Sequence, residues 1–270
     1  MKLSLLIGLA FSLSLHAEVL EGKIHSIVKG TGKDPDIIRL ESGRVVFAEA
    51  KDANLLEQSG SSERFQIITD DQNLMVAVRS VGKSFEVKET VESPLLESFE
   101  PTILGSTDEV NKIFNRLRNN YKRDSQCFNR AHVWANDELK NSGLKSMKVF
   151  VFFTASYITR NRFNWWFHIA PLVKVQDQGE VSSRVLDYRY ADRPVTVKQW
   201  TDIFVFSSRP CLVTTKFSDY DVNPQTEDCY LITTNMYYWM PQDIAQRDTT
   251  GVEKDKFATG SIESATWAAF

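Results

Sequence analysis

The apolar pattern of this 270-residue chain changes period between residues 90 and 105, and that change constrains the fold more than any other feature. Before it, short apolar runs at 20–28, 37–40, 44–48, 65–69, 74–78 and 85–87 are separated by turn-formers. These include Gly30-Thr31-Gly32, Ser42-Gly43, Ser59-Gly60-Ser61-Ser62 and Asp70-Asp71. The pattern predicts a small, mostly β module over 18–90, with no helix longer than about two turns. Residues 91–105 read as a linker bearing Glu, Ser and Pro. A helix then opens at Ser106, with Glu109 three positions on to complete a capping box. Helical spacing runs over 107–120 and 127–141, the second helix closed by Gly143. Within that helix Phe128, Ala131, Ala135 and Leu139 form an apolar stripe. Strands are expected at 147–153, 163–175 and 183–188, so residues 106–270 form an α+β domain.

Residues 1–17 carry Lys2, an apolar run from Leu3 to Leu15 and Ala17 at a cleavage position, the pattern of a secretory signal peptide. The expectation is export, to the periplasm or beyond. Cleavage would leave 253 residues, 270 less 17, enough for one large domain or two smaller ones. No later segment is long and apolar enough for a membrane helix. Without Lys2 the chain holds 31 basic and 35 acidic residues, a mildly acidic balance that does not suggest nucleic acid. Three cysteines in an exported chain allow one disulfide and one free thiol. Cys211 and Cys229 lie in one C-terminal region and are expected to pair. Cys127 is remote from both and is expected to stay free.

The free cysteine opens the second helix of the α+β domain. A thiolate there is favoured by the helix dipole, and the first-turn N–H groups can stabilise an oxyanion. Of the four histidines, His16 leaves with the leader and His25 lies in the β module. His132 is on the same helix as Cys127 but faces elsewhere, so packing or hydrogen bonding is its expected role. That leaves His168, flanked by Trp165, Trp166 and Phe167, rings expected to wall a cleft and exclude water. A hairpin turning at Asp177-Gln178 would pair residues whose numbers sum to 355, which sets His168 opposite Asp187. Cys127, His168 and Asp187 then read as a nucleophile, a general base and its orienting carboxylate. There is no C-x-x-C, H-E-x-x-H, Gly-rich phosphate loop or G-x-S-x-G elbow, so no metal or cofactor is expected.

These blocks resemble a known family. Cys127-Phe-Asn-Arg130-Ala131-His132, Trp166-Phe-His168-Ile-Ala-Pro-Leu-Val173 and Val185-Leu-Asp187 are similar to the three catalytic blocks of bacterial protein-glutaminases. Pro194-Val-Thr-Val-Lys-Gln-Trp200 and, more weakly, Tyr237-Tyr-Trp-Met-Pro241 add to the likeness. The resemblance implies a papain- and transglutaminase-like fold in which the cysteine-bearing helix packs on an antiparallel sheet. It also implies hydrolysis of glutamine side-chain amides in proteins or peptides. By position, Cys127 is the nucleophile, His168 the base then acid, and Asp187 the orienting residue. Several members carry a pro-segment over the active site, which suggests a zymogen role for the module at 18–90. The sequence departs from the pattern at Ser125-Gln126, where an acidic residue and a glycine commonly precede the cysteine. The triad alone leaves proteolysis and transamidation open, and a non-catalytic exported binding protein is the remaining alternative. A monomer acting on glutamine-bearing proteins is the expected form.

Overall fold

The structure is a computed structural model that describes residues 18–32, 34–57, 63–70, 72–83, 99–177, 179–206, 209–224 and 226–270. The expected leader at 1–17, the turn at 59–62, the strand at 85–87 and most of the linker lie outside the described residues. The described chain divides into two units, one of residues 18–41 and 45–83, the other of 42–44 and 99–270.

The first unit is a five-stranded antiparallel sheet. Its elements are β1 (Glu18–Val28), β2 (Asp36–Leu40), β3 (Val45–Ala48), the helix α1 (Ala50–Glu57), β4 (Glu63–Thr69) and β5 (Met75–Lys83). The strand order is β3-β2-β1-β4-β5. Phe65, Ile67 and Thr69 alternate with more exposed residues along β4, the period-two pattern of a half-buried strand. Ile38, Leu40, Val46, Ala53 and Leu56 join Phe65 and Ile67 in its core, so α1 closes one face of the sheet.

The second unit contains β6 (Ile103–Leu104), α2 (Thr107–Arg116), α3 (Cys127–Ser142), β7 (Met147–Phe153), α4 (Ala155–Asn161), β8 (Phe167–Asp177) and β9 (Glu180–Val185). It continues with α5 (Val197–Phe204), β10 (Leu212–Thr214), a 3-10 turn at Phe217–Asp219, β11 (Cys229–Asn235), α6 (Pro241–Thr250) and α7 (Ser261–Ala269). A six-stranded sheet runs β10-β11-β7-β8-β6, with β9 also paired to β8. Pairs β7–β8, β7–β11 and β8–β9 are antiparallel, while β10–β11 and β6–β8 are parallel. The class is α+β, as the change in periodicity predicts. None of the described helices is long and apolar enough to cross a membrane.

The helix α3 lies between β8 and α7 and is buried almost all round for its first three turns. Its stripe of Phe128, Ala131 and Ala135 faces the core, but Asn129, Arg130, His132 and Glu138 are buried as well. Most of these polar groups find partners. Glu138 accepts from Arg116 Nε at 2.9 Å and Asn129 from Trp239 Nε1 at 3.1 Å. Gly143 ends the helix at φ 69°, a left-handed C-cap. At α2, Ser106 Oγ accepts from Glu109 N at 3.2 Å, but the Glu109 carboxylate takes the Gly105 N–H at 2.9 Å. The reciprocal half of that capping box therefore sits one residue earlier than expected.

Three local expectations need correction. The helix α2 stops at Arg116 rather than 120, because Arg118 turns away to pair with Asp137 at 2.8 Å and its carbonyl accepts from Trp134 Nε1 at 3.0 Å. The strand expected from 163 begins at Phe167, since Thr154 caps a short helix, α4, ahead of it. The β8–β9 hairpin pairs Asp177 with Glu180 and Leu172 with Val185, so partner numbers sum to 357 rather than 355. Its turn is one residue later and includes Gly179 at φ 90°. Pro171 accepts at its carbonyl from Leu186 N at 2.9 Å, just beyond the last β8–β9 pair. Its donor-less nitrogen faces the same side, where the ladder has already ended.

Candidate active site

Cys127 is the first residue of α3, and its neighbour Gln126 caps the helix without a side-chain hydrogen bond. No side chain of the cap residue therefore competes for the N–H groups of that first turn. Arg130, one turn on, donates to the Ser125 carbonyl and to Ser125 Oγ at 2.8 Å, which fixes the turn leading into the cysteine. Its guanidinium lies 5.4 Å from the Tyr121 ring, and Arg189 approaches the same ring at 5.0 Å. Cys127 is the free cysteine, and Cys211 and Cys229 form a disulfide with Cα atoms 4.7 Å apart.

His168 sits near the start of β8, opposite Val151 of β7. Its Nε2 lies 2.6 Å from Asp187 Oδ2. Asp187 is not in β9, so no strand register aligns the pair. The chain leaves β9 after Val185, and Asp187 is held in a turn whose carbonyl accepts from Tyr190 N at 3.1 Å and Ala191 N at 2.9 Å. The same Oδ2 accepts from Trp200 Nε1 at 2.9 Å. Trp200 is placed by α5, whose start is fixed by a capping box between Thr196 and Gln199. The bridge between Val185 and Val195 brings that helix back beside the turn.

Burial alone would lower the pKa of His168. The charges of Asp187 and Cys127, with hydrogen bonds to both, more than offset it and raise the value to about 9. Burial would raise that of Asp187, but the imidazolium, the hydrogen bonds from His168 and Trp200, and the charge of Arg130 hold it below the ordinary carboxylate range. An imidazolium between a carboxylate and a sulfur is the arrangement in which a thiolate attacks and a nearby proton leaves with the departing group. With Nε2 committed to Asp187, Nδ1 is the ring nitrogen available to the thiol. All three groups are buried, at 3 % exposure for Cys127, 5 % for His168 and 1 % for Asp187.

The aromatic wall differs from the one expected. Trp166 and Phe167 are fully buried in the core. The rings around the imidazole are instead Trp200, stacked at 5.5 Å, Phe204 at 4.7 Å, and Tyr190 edge-on at 5.0 Å. Of these, Trp200 stood in a motif block but without a role, while Tyr190 and Phe204 had no signal in the sequence. His132 takes no part. It is hydrogen-bonded to Ser261 and Lys148 elsewhere on α3, the packing role expected of it. Among the described residues, no group of three or more His, Cys, Asp or Glu side chains could hold a metal ion.

Comparison with known proteins fits this geometry. A glutamine-deamidase family profile, described as Glutaminase, matches residues 106–204. No curated protein matched by sequence. Among solved structures, a pro-protein-glutaminase is similar at TM-score 0.52 and 14 % identity, over 91 % of this chain and 90 % of that one. A mutant of pro-protein-glutaminase is similar at TM-score 0.50 and 14 % identity, over 93 % and 98 %. The protein-glutaminase of Chryseobacterium proteolyticum aligns at TM-score 0.38 and 17 % identity, over 60 % and 85 %.

Proposed function

We propose, from the match of residues 106–204 to the glutaminase profile and from the fold shared with pro-protein-glutaminase, that the chain deamidates glutamine side chains in proteins or peptides. The observation that carries the reading is His168 held between Asp187 and the helix-terminal Cys127. The Cys127 thiolate attacks the glutamine carboxamide carbon, and the oxyanion is received by the open N–H groups at the start of α3. Protonated His168 gives its proton to the leaving nitrogen, and ammonia departs from a thioester. Neutral His168 then takes a proton from water, and hydroxide attack releases the glutamate side chain and regenerates the thiolate. Asp187, braced by Trp200, keeps the imidazole in one tautomer and orientation throughout.

Export belongs to the same proposal, supported by the leader-like start and by a disulfide that suits an oxidising compartment. So does a pro-segment role for residues 18–90, supported by the extent of the likeness to pro-protein-glutaminase, 91 % of this chain. The pro-segment role predicts that cleavage within residues 89–104 raises activity. Equal activity of the intact and cleaved chains would refute it.

The test is ammonia release from a glutamine-rich protein, comparing the chain with its Cys127→Ala variant, with mass spectrometry of the substrate. Ammonia with an intact backbone, lost in the variant, is the expected result. Backbone fragments would reassign the triad to proteolysis, and crosslinks formed with added amine would reassign it to transamidation. No Cys127-dependent change on any glutamine protein, with the cleaved chain included, would overturn the enzymatic reading.

A further inference from the structure

His132 lies five residues beyond Cys127, roughly 140° further round the axis of α3, and faces a different part of the molecule. Its Nε2 lies 2.9 Å from Ser261 Oγ, and its Nδ1 lies 2.9 Å from Lys148 Nζ. The Lys148 amine also donates to the Tyr238 carbonyl at 2.5 Å. The imidazole is stacked on Trp239 at 5.2 Å, with Phe257 edge-on at 4.9 Å. His132 and Ser261 line a cavity of about 480 Å³, with Tyr237, Trp239, Lys254 and Asp243 among its other walls. That volume is in the range of small-molecule sites.

Lys148 is the anomaly. It is fully buried, and an ammonium in such a place is costly unless a carboxylate meets it. Both of its hydrogen-bond partners are neutral, a carbonyl and an imidazole. Burial holds its pKa well below the ordinary lysine value, with Asp243 opposing and Lys254 reinforcing. Burial, then Lys148 and Lys254, likewise keep His132 in its neutral form. In its ammonium form Lys148 can only donate, which places the imidazole proton on Nε2, from which it is donated to Ser261 Oγ. The Ser261 proton is then left to point away from the histidine. Three groups thus form a chain of donors that runs from a buried amine to the wall of a cavity. An anion bound at its end would favour that ammonium form over the neutral amine that burial otherwise favours. Lys254, held 3.0 Å from Asp243, adds a cation on the same wall.

We propose that this cavity is a second binding site, for a small organic carboxylate whose anionic end is received at Ser261 and whose flat or apolar body lies against Trp239 and Tyr237. The site is separate from the triad and does not depend on the deamidase reading.

The test is calorimetric titration of the full chain with N-acetylphenylalanine and with its neutral alcohol, N-acetylphenylalaninol. The carboxylate is expected to bind about tenfold tighter or better, the worth of one charge-assisted hydrogen bond. Ser261→Ala should reduce that preference to about twofold or less. Ser261 is not the cap residue of α7, which is Gly260, so this variant should fold, with a cooperative thermal transition as the check. Cys127→Ala should keep the preference. Equal binding of the two probes, no binding of the carboxylate at millimolar concentrations, an unaltered preference in Ser261→Ala, or its loss in Cys127→Ala would each overturn the proposal.

Discussion

Asp187 carries more of the site than its position near a turn suggests. Its carboxylate receives the His168 ring and the Trp200 indole on one oxygen, and both bonds are buried. Asp187→Asn removes the charge that keeps the imidazole protonated, so the His168 pKa should fall from about 9 in an NMR titration. Activity should drop roughly 10³–10⁴-fold, as when a triad loses its orienting charge. Trp200→Phe keeps the ring and deletes one donor to that carboxylate. It should lower kcat about tenfold with KM little changed, because it acts on orientation rather than on substrate contact. The raised His168 value also has a sign for stability. It contributes fully below pH 6.5, and that contribution is lost as pH rises through about 9. The denaturant midpoint of the wild type should therefore fall as pH rises across this window, and less so in Asp187→Asn.

At the scale of elements, α3 is the piece on which the site depends, and its ends were the most legible part of the sequence. Gly143 has φ 69°, and a Cβ built there would meet nothing within 4 Å. Gly143→Ala should therefore cost about 1 kcal/mol from backbone strain alone, read as a shift in denaturant midpoint with unchanged slope. The closing glycine could be read because capping chemistry is local, and the start at Cys127 because the apolar stripe at helical spacing begins beside it. The helix's burial could not, because Arg130, His132 and Glu138 look like solvent-facing residues until their partners are known. Those partners lie far along the chain for two of them, Ser261 for His132 and Arg116 for Glu138. The meeting of His168 and Asp187 was expected for the wrong reason. Strand register would place them across a hairpin, whereas the chain leaves the sheet after Val185 and a turn tied by two backbone hydrogen bonds returns Asp187 to the ring. Side-chain periodicity says where a strand lies but not where its ladder stops.

For the whole molecule, the Cys211–Cys229 bridge closes a loop 18 positions long and joins the segment before β10 to the first residue of β11. The paired Cys211→Ser, Cys229→Ser variant should lose about 3 kcal/mol, measured as a lower melting temperature that no reducing agent lowers further. The α+β class was readable from the shift in periodicity, since alternation at two and at 3.6 residues are separate signals. The C-terminal helices were not, because both are short, α6 has few apolar residues, and those of α7 (Ile262, Ala265, Trp267, Ala268 and Ala269) surround the helix rather than forming one stripe. With two of its three cysteine sulfurs locked together, the molecule offers a single thiol to any alkylating reagent, and that sulfur is buried. A bulky glutamine-bearing protein cannot reach such an atom without some displacement of the surrounding chain. The speed at which iodoacetamide consumes Cys127 becomes a clock for that displacement, and whatever quickens the clock identifies what opens the way to the sulfur.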